Sequence, residues 1–215
     1  MLKSTRLGDI AYDSTRRIVH TLFDLISQVQ VNISGKENLQ ERAILAANHQ
    51  SFLDPAAIIY AVYNKPVYFL ASNSFVHPST NQIFKKAFGK VLSFYNQIII
   101  QENNLSSYLS DIDERLSKGY LGIFPEGQIN NLSRERINHG ELLAFRKGIE
   151  TIAKYTQAPV IPTTLKGTQN VWPPNNRLPK RSGFISISFS KPLSPNTPNL
   201  RELIKAQIKS TLESQ

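Results

Sequence analysis

The segment Asn48-His49-Gln50-Ser51-Phe52-Leu53-Asp54-Pro55 brings a histidine and an aspartate into one short stretch. Such a pair can act as a general base. The carboxylate holds one ring nitrogen as N–H, and the other nitrogen is free to take a proton from a hydroxyl. The stretch follows the apolar run Ile44-Leu45-Ala46-Ala47 and ends in Asp-Pro. Asp is a good helix cap and Pro suits the first helical position, so a helix is expected to open there. His49 is therefore expected at a strand end leading into a helix, where open α/β sheets carry their sites. By spacing alone, a capping Asp54 beside an unrelated loop histidine is the commoner explanation. Ser51 lies between the two, outside any Gly-x-Ser-x-Gly setting, and no such motif occurs elsewhere in the chain.

Three further clusters carry chemistry-bearing side chains. Phe124-Pro125-Glu126-Gly127 follows a short apolar run, and Pro-x-Gly makes a sharp turn that displays Glu126 at the sheet edge. Glu126 is then either an ordinary turn residue or a carboxylate that accepts hydrogen bonds from a polyol. Phe145-Arg146-Lys147-Gly148 puts two cations at a helix start, where they oppose the macrodipole unless they meet an anion such as phosphate. A solvated basic pair is the alternative. Val160-Ile161-Pro162 leading to Gly167-Thr168 reads as a buried strand closing in a tight turn.

Positioning these residues requires a sheet. Strand-like runs are expected at Val29–Ile33, Ala43–Ala47, Val67–Ala71, Gln97–Ile100, Tyr120–Phe124, Pro159–Leu165 and Phe184–Phe189. Helical patterns fall between them at Pro55–Tyr63, Thr80–Phe88, Leu105–Lys118 and Arg146–Thr156, with a last one at Asn199–Glu213. This alternation predicts an α/β fold with a mixed, largely parallel sheet flanked by helices. The alternating Ile185-Ser186-Ile187-Ser188-Phe189 predicts an antiparallel or edge strand. Residues 14–29 form an amphipathic helical pattern with Arg16 and Arg17 near its start, packed on the domain or lying on a membrane surface. The expected division is an N-terminal helical segment, 1–28, and a single domain, 29–215. Residues 128–145 are long and polar for a loop, which favours a functional role. Residues 168–182 form a Pro- and Asn-rich loop with a basic cluster at Arg177, Lys180 and Arg181.

Composition narrows the chemistry. The chain has no cysteine, which excludes disulfides, thiolate metal sites and a thiol acyl-enzyme. Lysine and arginine outnumber the acids by 25 to 16, for a net +9, which predicts an anionic partner such as lipid headgroups, nucleic acid or an acidic carrier. The basic residues are scattered and no nucleic-acid-binding motif is present, so nucleic acid is not expected as a partner. No apolar window is long enough to span a bilayer, and the N-terminus lacks the apolar core of a signal peptide. A cytosolic membrane face, with peripheral or monotopic attachment, is the expected location.

Taken in order, these segments resemble the lysophosphatidate/glycerol-3-phosphate acyltransferase superfamily. The first block of that superfamily, Asn-His-x-x-x-x-Asp, is matched by Asn48, His49 and Asp54. Its Phe-Pro-Glu-Gly block is matched by Phe124 to Gly127, and the downstream Phe-x-Lys-Gly motif by Phe145, Lys147 and Gly148. Its Val-Ile-Pro block is matched by Val160 to Pro162. The likeness runs from about residue 30 to 190. It implies a glycerol-3-phosphate acyltransferase-like fold and direct transfer of a fatty acyl group from acyl-CoA or acyl-carrier protein to a glycerolipid hydroxyl, with 1-acyl-glycerol-3-phosphate as acceptor. It implies His49 as base and Asp54 as its orienting partner. Glu126, Gly127, Arg146, Lys147, Gln101 and Arg134 become substrate-binding candidates. No metal or organic cofactor is implied. The implied partners are a lysolipid acceptor, the acyl donor and an anionic membrane surface.

Two positions depart from the family pattern. Gln101 stands where the second block usually ends in a phosphate-binding Arg, and glutamine cannot form a charged bidentate clamp. Gln128-Ile129 stands where Thr-Arg commonly follows Phe-Pro-Glu-Gly, and the nearest arginines are Arg134 and Arg136. Arg134 and Arg136, or Arg146 and Lys147, then supply the phosphate contact, or else the acceptor is another lysolipid or a glycolipid. A non-catalytic basic membrane-surface protein of the same fold is the reading from another class.

Overall fold

Strand Ala43–Ala47 is buried along its whole length, and its three alanines leave room for side chains packed from both faces. It is a central strand of the seven in a computed structural model that describes residues 17–21, 23, 28–62, 65–72, 97–129, 141–173, 176 and 178–214. The strands are β1 (Gln28–Ser34), β2 (Ala43–Ala47), β3 (Val67–Ser72), β4 (Gln97–Ile100), β5 (Tyr120–Ile123), β6 (Val160–Lys166) and β7 (Ser182–Phe189). The helices are α1 (Asp54–Ala61), α2 (Leu109–Leu116), α3 (Gly148–Thr156), α4 (Thr168–Val171) and α5 (Leu200–Ser214).

The sheet order is β1-β7-β6-β2-β5-β3-β4. Strands β6, β2, β5, β3 and β4 run parallel, while β7 is antiparallel to β6 and parallel to β1. The expected mixed, largely parallel sheet is therefore present. Of the two alternatives expected for Ile185–Phe189, the antiparallel one holds: β7 runs antiparallel to β6, is paired on both sides, and leaves the edges to β1 and β4. Alternation along β7 reflects one face packed in the core and Ser186 and Ser188 on the other face.

Apolar side chains alternate between two cores, one on each face of the sheet. Ala43, Leu45 and Ala47 join α1 on one face, and Ile44 and Ala46 join α2, α3 and α5 on the other. Residues 17–21 and 23 are helical, but the helix pattern read over 14–29 ends before β1 begins at Gln28. Val19 and Phe23 are buried, and Phe23 stacks on Tyr60 of α1 with ring centroids 4.5 Å apart. Val19 and Phe23 are thus packed on the domain, while Ile18 is exposed. The pattern at Leu105–Lys118 splits into a 3-10 run, Glu102–Tyr108, followed by α2. The helix expected at Thr80–Phe88 lies outside the described residues. Among the described residues, no helix is long and apolar enough to cross a membrane.

One register row crosses five strands: Ile161, Leu45, Gly122, Phe69 and Gln97. Four residues past that row stand Leu165, His49, Glu126 and Gln101. The parallel strands therefore deliver three of the expected site positions to one rim of the sheet.

Candidate active site

At that rim the His49 Nδ1 lies 2.8 Å from Asp54 Oδ2. The same oxygen accepts the backbone N–H of Gln50 at 2.6 Å and of Ser51 at 2.8 Å. An oxygen that already receives two N–H donors is an acceptor, so the ring nitrogen facing it must donate. His49 therefore carries its proton on Nδ1, and the Nε2 lone pair is left as the base. Asp54 is 0% exposed and the His49 side chain 12%, which leaves the imidazole edge as the reachable part of the pair. Three donors on one oxygen, together with a place in the first turn of α1, compensate the burial of a carboxylate.

The capping explanation fails on this geometry. Asp54 is itself in the first turn, Leu53 holds the cap position, and no side-chain cap bond is made. The carboxylate is turned back toward residues 49–51 rather than onto the helix. Ser51 is buried, donates from Oγ to the Trp172 carbonyl at 2.6 Å and accepts the Leu53 N–H, so it braces the loop.

The imidazole plane is set by aromatic stacking. The His49 and Phe124 rings stack with centroids 4.1 Å apart, and Phe124 stacks in turn on Phe69. Gly122 makes this column possible, because a Cβ there would lie 2.3 Å from the Phe69 ring. Asn48 holds the strand end below. Its side-chain amide donates to the Leu165 carbonyl and accepts the Leu165 N–H, both at 2.8 Å, which continues the β2–β6 ladder with a side chain. The sequence signal for Asn48 was its place in the first block, but its partner lies on β6 and could not be read locally. The same holds for the Phe124 stack.

Glu126 departs from the expected exposed turn residue. It is 3% exposed, with Oε1 accepting the His49 N–H at 2.8 Å and Oε2 accepting the Leu143 N–H at 2.9 Å. Burial pushes its carboxyl above the ordinary glutamate range, against the two backbone N–H groups that pull it down. Its carboxylate ties the loop bearing His49 to the segment that leads into Arg146. The display expected from the turn motif is absent because Leu143, far along the chain, closes over it.

Gly127 closes the turn with a bond from its N–H to the Phe124 carbonyl and sits at φ +71°, the left-handed region that favours glycine. The Arg146 side chain lies across it: a Cβ on Gly127 would stand 2.3 Å from Arg146 Nε. The Arg146 N–H bonds the Pro125 carbonyl at 2.8 Å, and Lys147 occupies the cap position of α3. Arg146 and Lys147 are both exposed. His49, Asp54, Glu126, Gly127, Arg146 and Lys147 are thus joined through direct bonds and packing into one unit. Gln101 is exposed at the same rim but three strands from β2, about 14 Å across the sheet. Arg134 lies outside the described residues.

This arrangement can deprotonate a hydroxyl at Nε2, stabilise the resulting imidazolium with a buried carboxylate, and hold an anion beside α3.

Known proteins resemble this chain in sequence and in fold. A 1-acyl-sn-glycerol-3-phosphate acyltransferase of Cocos nucifera is 29% identical over 168 residues, covering 76% of this chain and 49% of that protein. A chloroplastic 1-acyl-sn-glycerol-3-phosphate acyltransferase of Arabidopsis thaliana is 30% identical over 172 residues, covering 76% and 44%. A protein of Mycoplasma pneumoniae described as a probable 1-acyl-sn-glycerol-3-phosphate acyltransferase is 26% identical over 202 residues, covering 87% and 70%. The chain spans about half the length of the two plant relatives. The crystal structure of the 1-acyl-sn-glycerophosphate acyltransferase of Thermotoga maritima shares the fold with a TM-score of 0.67 at 21% identity, over 96% of this chain and 78% of that one. A family model described as acyltransferase matches residues 30–166, the stretch that carries His49, Asp54, Glu126 and Arg146, and the chain belongs to that acyltransferase family.

Proposed function

We propose that this chain transfers a fatty acyl group from an acyl thioester to a hydroxyl of a glycerolipid acceptor, 1-acyl-glycerol-3-phosphate, in phospholipid synthesis. The observation that carries the proposal is the His49–Asp54 pair with its single assigned tautomer. His49 Nε2 takes the acceptor's hydroxyl proton, and the oxygen attacks the thioester carbonyl. The C–S bond then breaks, and the departing sulfur takes the proton back from His49. The donor is acyl-CoA or acyl-carrier protein, and the step uses no metal or organic cofactor. Arg146 and Lys147, at the N-terminus of α3, receive the acceptor's phosphate. Relatives named for 1-acyl-sn-glycerol-3-phosphate support this acceptor. A lipid acceptor and a net +9 charge support work at an anionic membrane surface, which we place on the cytosolic face.

A second acceptor class is favoured by one observation: Gln101, exposed at the catalytic rim, is uncharged. An acceptor whose phosphate is substituted, or a glycolipid, needs no cation there. The test is acyl transfer by the purified chain to lysophosphatidate, other lysophospholipids and glycolipids, with each donor in turn. Highest kcat/KM on lysophosphatidate upholds the first reading. In that case Gln101→Arg lowers KM for lysophosphatidate only if this position faces the phosphate, and an unchanged KM removes Gln101 from acceptor choice. No transfer to any acceptor overturns the proposal.

A further inference from the structure

The five parallel strands end at the catalytic rim, and β7 and β1, which run the other way, begin there. The stretch 178–184 enters β7 at this rim. The described residues that lead into it are tied down by hydrogen bonds. The Trp172 carbonyl accepts Ser51 Oγ of the catalytic loop, Trp172 Nε1 donates to the Asn176 carbonyl at 3.1 Å, and the Lys180 N–H closes on the Val171 carbonyl at 2.7 Å. What the stretch displays is unusual for a soluble surface. Leu178 is 76% exposed and Phe184 51%, with the exposed cations Lys180 and Arg181 between them. Neither cation is in an ion pair among the described residues. Of the other exposed large apolar side chains among the described residues, Tyr155 and Leu203 lie toward the opposite end of the sheet, near the end of α3 and the start of α5, and Ile18, 41% exposed, lies on the N-terminal helical segment.

We infer that the stretch 178–184 docks the catalytic rim onto an anionic bilayer, with Leu178 and Phe184 entering the interface and Lys180 and Arg181 meeting lipid phosphates. Bulky apolar side chains beside unpaired cations are the combination that anionic interfaces bind. The position matters as much as the composition. A lipid acceptor reaches His49 from the bilayer only if this rim faces it, and Ser51 couples Trp172, which leads into the docking stretch, to the loop that holds His49 and Asp54. The described helical residues 17–21 and 23 are less suited to the task, since Val19 and Phe23 are already packed in the core with α1 and Ile18 is left as their one exposed large apolar side chain. The inference rests on the proposed use of a lipid acceptor.

The test is co-sedimentation of the full chain with phosphatidylcholine vesicles, with and without phosphatidylglycerol. It is paired with acyl transfer to vesicle-borne lysophosphatidate and to a short-chain acceptor that stays monomeric in water. Each cation near an anionic leaflet is worth roughly a fivefold gain in partitioning. The K180Q/R181Q variant should therefore lose about twenty-five-fold in binding to the phosphatidylglycerol vesicles. L178S/F184S should lose binding to both kinds of vesicle. Both variants should lose turnover on the vesicle-borne acceptor and keep wild-type turnover on the soluble one. Wild-type partitioning by both variants overturns the inference, as does an equal loss on the soluble acceptor, which would make the segment part of the site's own geometry. A wild-type chain that binds vesicles through these residues yet transfers nothing upholds the docking surface and overturns the transfer reaction.

Discussion

Asp54→Asn separates the two roles of the carboxylate, because the surrounding backbone dictates how the amide must lie. In the native chain Oδ2 faces three N–H donors: His49 Nδ1, Gln50 N and Ser51 N. An amide NH2 at that position would oppose all three, so the asparagine must put its oxygen there and its NH2 at the Oδ1 position. Oδ1 is buried and has no hydrogen-bond partner among the described residues. Leaving a buried donor without a partner costs about 1–3 kcal/mol, which a typical domain survives. The imidazole keeps its tautomer and orientation, and what disappears is the negative charge beside the imidazolium. Two unit charges 4 Å apart at an effective dielectric constant of about 20 interact by about 4 kcal/mol, so the ceiling on the loss is about 10³-fold in kcat. The expected fall is about 10²–10³-fold, short of the roughly 10⁴-fold seen when the same change in a Ser–His–Asp triad flips the tautomer. The assay is release of the carrier thiol read with a thiol-reactive dye. It is unusually clean here, because the chain has no cysteine of its own. Wild-type turnover in D54N would refute the electrostatic role of Asp54. A fall of about 10⁴-fold or more would refute the claim that Gln50 and Ser51 fix the amide.

Glu126→Gln sets an amide NH2 against either the His49 or the Leu143 N–H, so urea denaturation near neutral pH should register a loss of about 1–3 kcal/mol. Its pH dependence has a definite sign. Burial raises the folded-state pKa of Glu126, so the folded chain holds the proton more tightly than the unfolded one. Wild-type stability from this group is complete below the ordinary glutamate pKa and is lost as pH rises through the raised one, a slope that E126Q should lack. Parallel pH profiles for the two proteins would contradict the burial argument. Gly127→Ala forces a side chain into the left-handed region at about 1–2 kcal/mol and drives its Cβ into the Arg146 guanidinium. Arg146 can swing away, so KM for a phosphate-bearing acceptor should rise while kcat holds, and an unchanged KM would remove Arg146 from phosphate binding.

The strands were legible in the sequence because buried parallel strands are short apolar runs bounded by turn residues, as Ile44-Leu45-Ala46-Ala47 and Val160-Ile161 illustrate. Their order in the sheet was not, since β5 inserts between β2 and β3 through pairings between residues far apart in the chain. The identities of His49 and Asp54 were readable, while the choice between a cap and a partner for the imidazole turned on the direction of one carboxylate. The burial of Glu126 was not legible because Pro-Glu-Gly looks like a solvated turn from either side, and the donor that closes over it is Leu143, 17 residues away. Asn48, Phe124 and Gly122 support the site entirely through contacts across strands, which no local pattern records.

Acyl transfer by His49→Ala tests the account most directly. With folding confirmed by an unchanged far-ultraviolet circular dichroism spectrum and cooperative melting, the purified variant is given a labelled acyl thioester and lysophosphatidate. Removing a general base of this kind should lower kcat by about 10²–10⁴-fold, leaving the label on the thioester. Wild-type transfer of the label to the acceptor by the folded variant would contradict the assignment of His49 as the base.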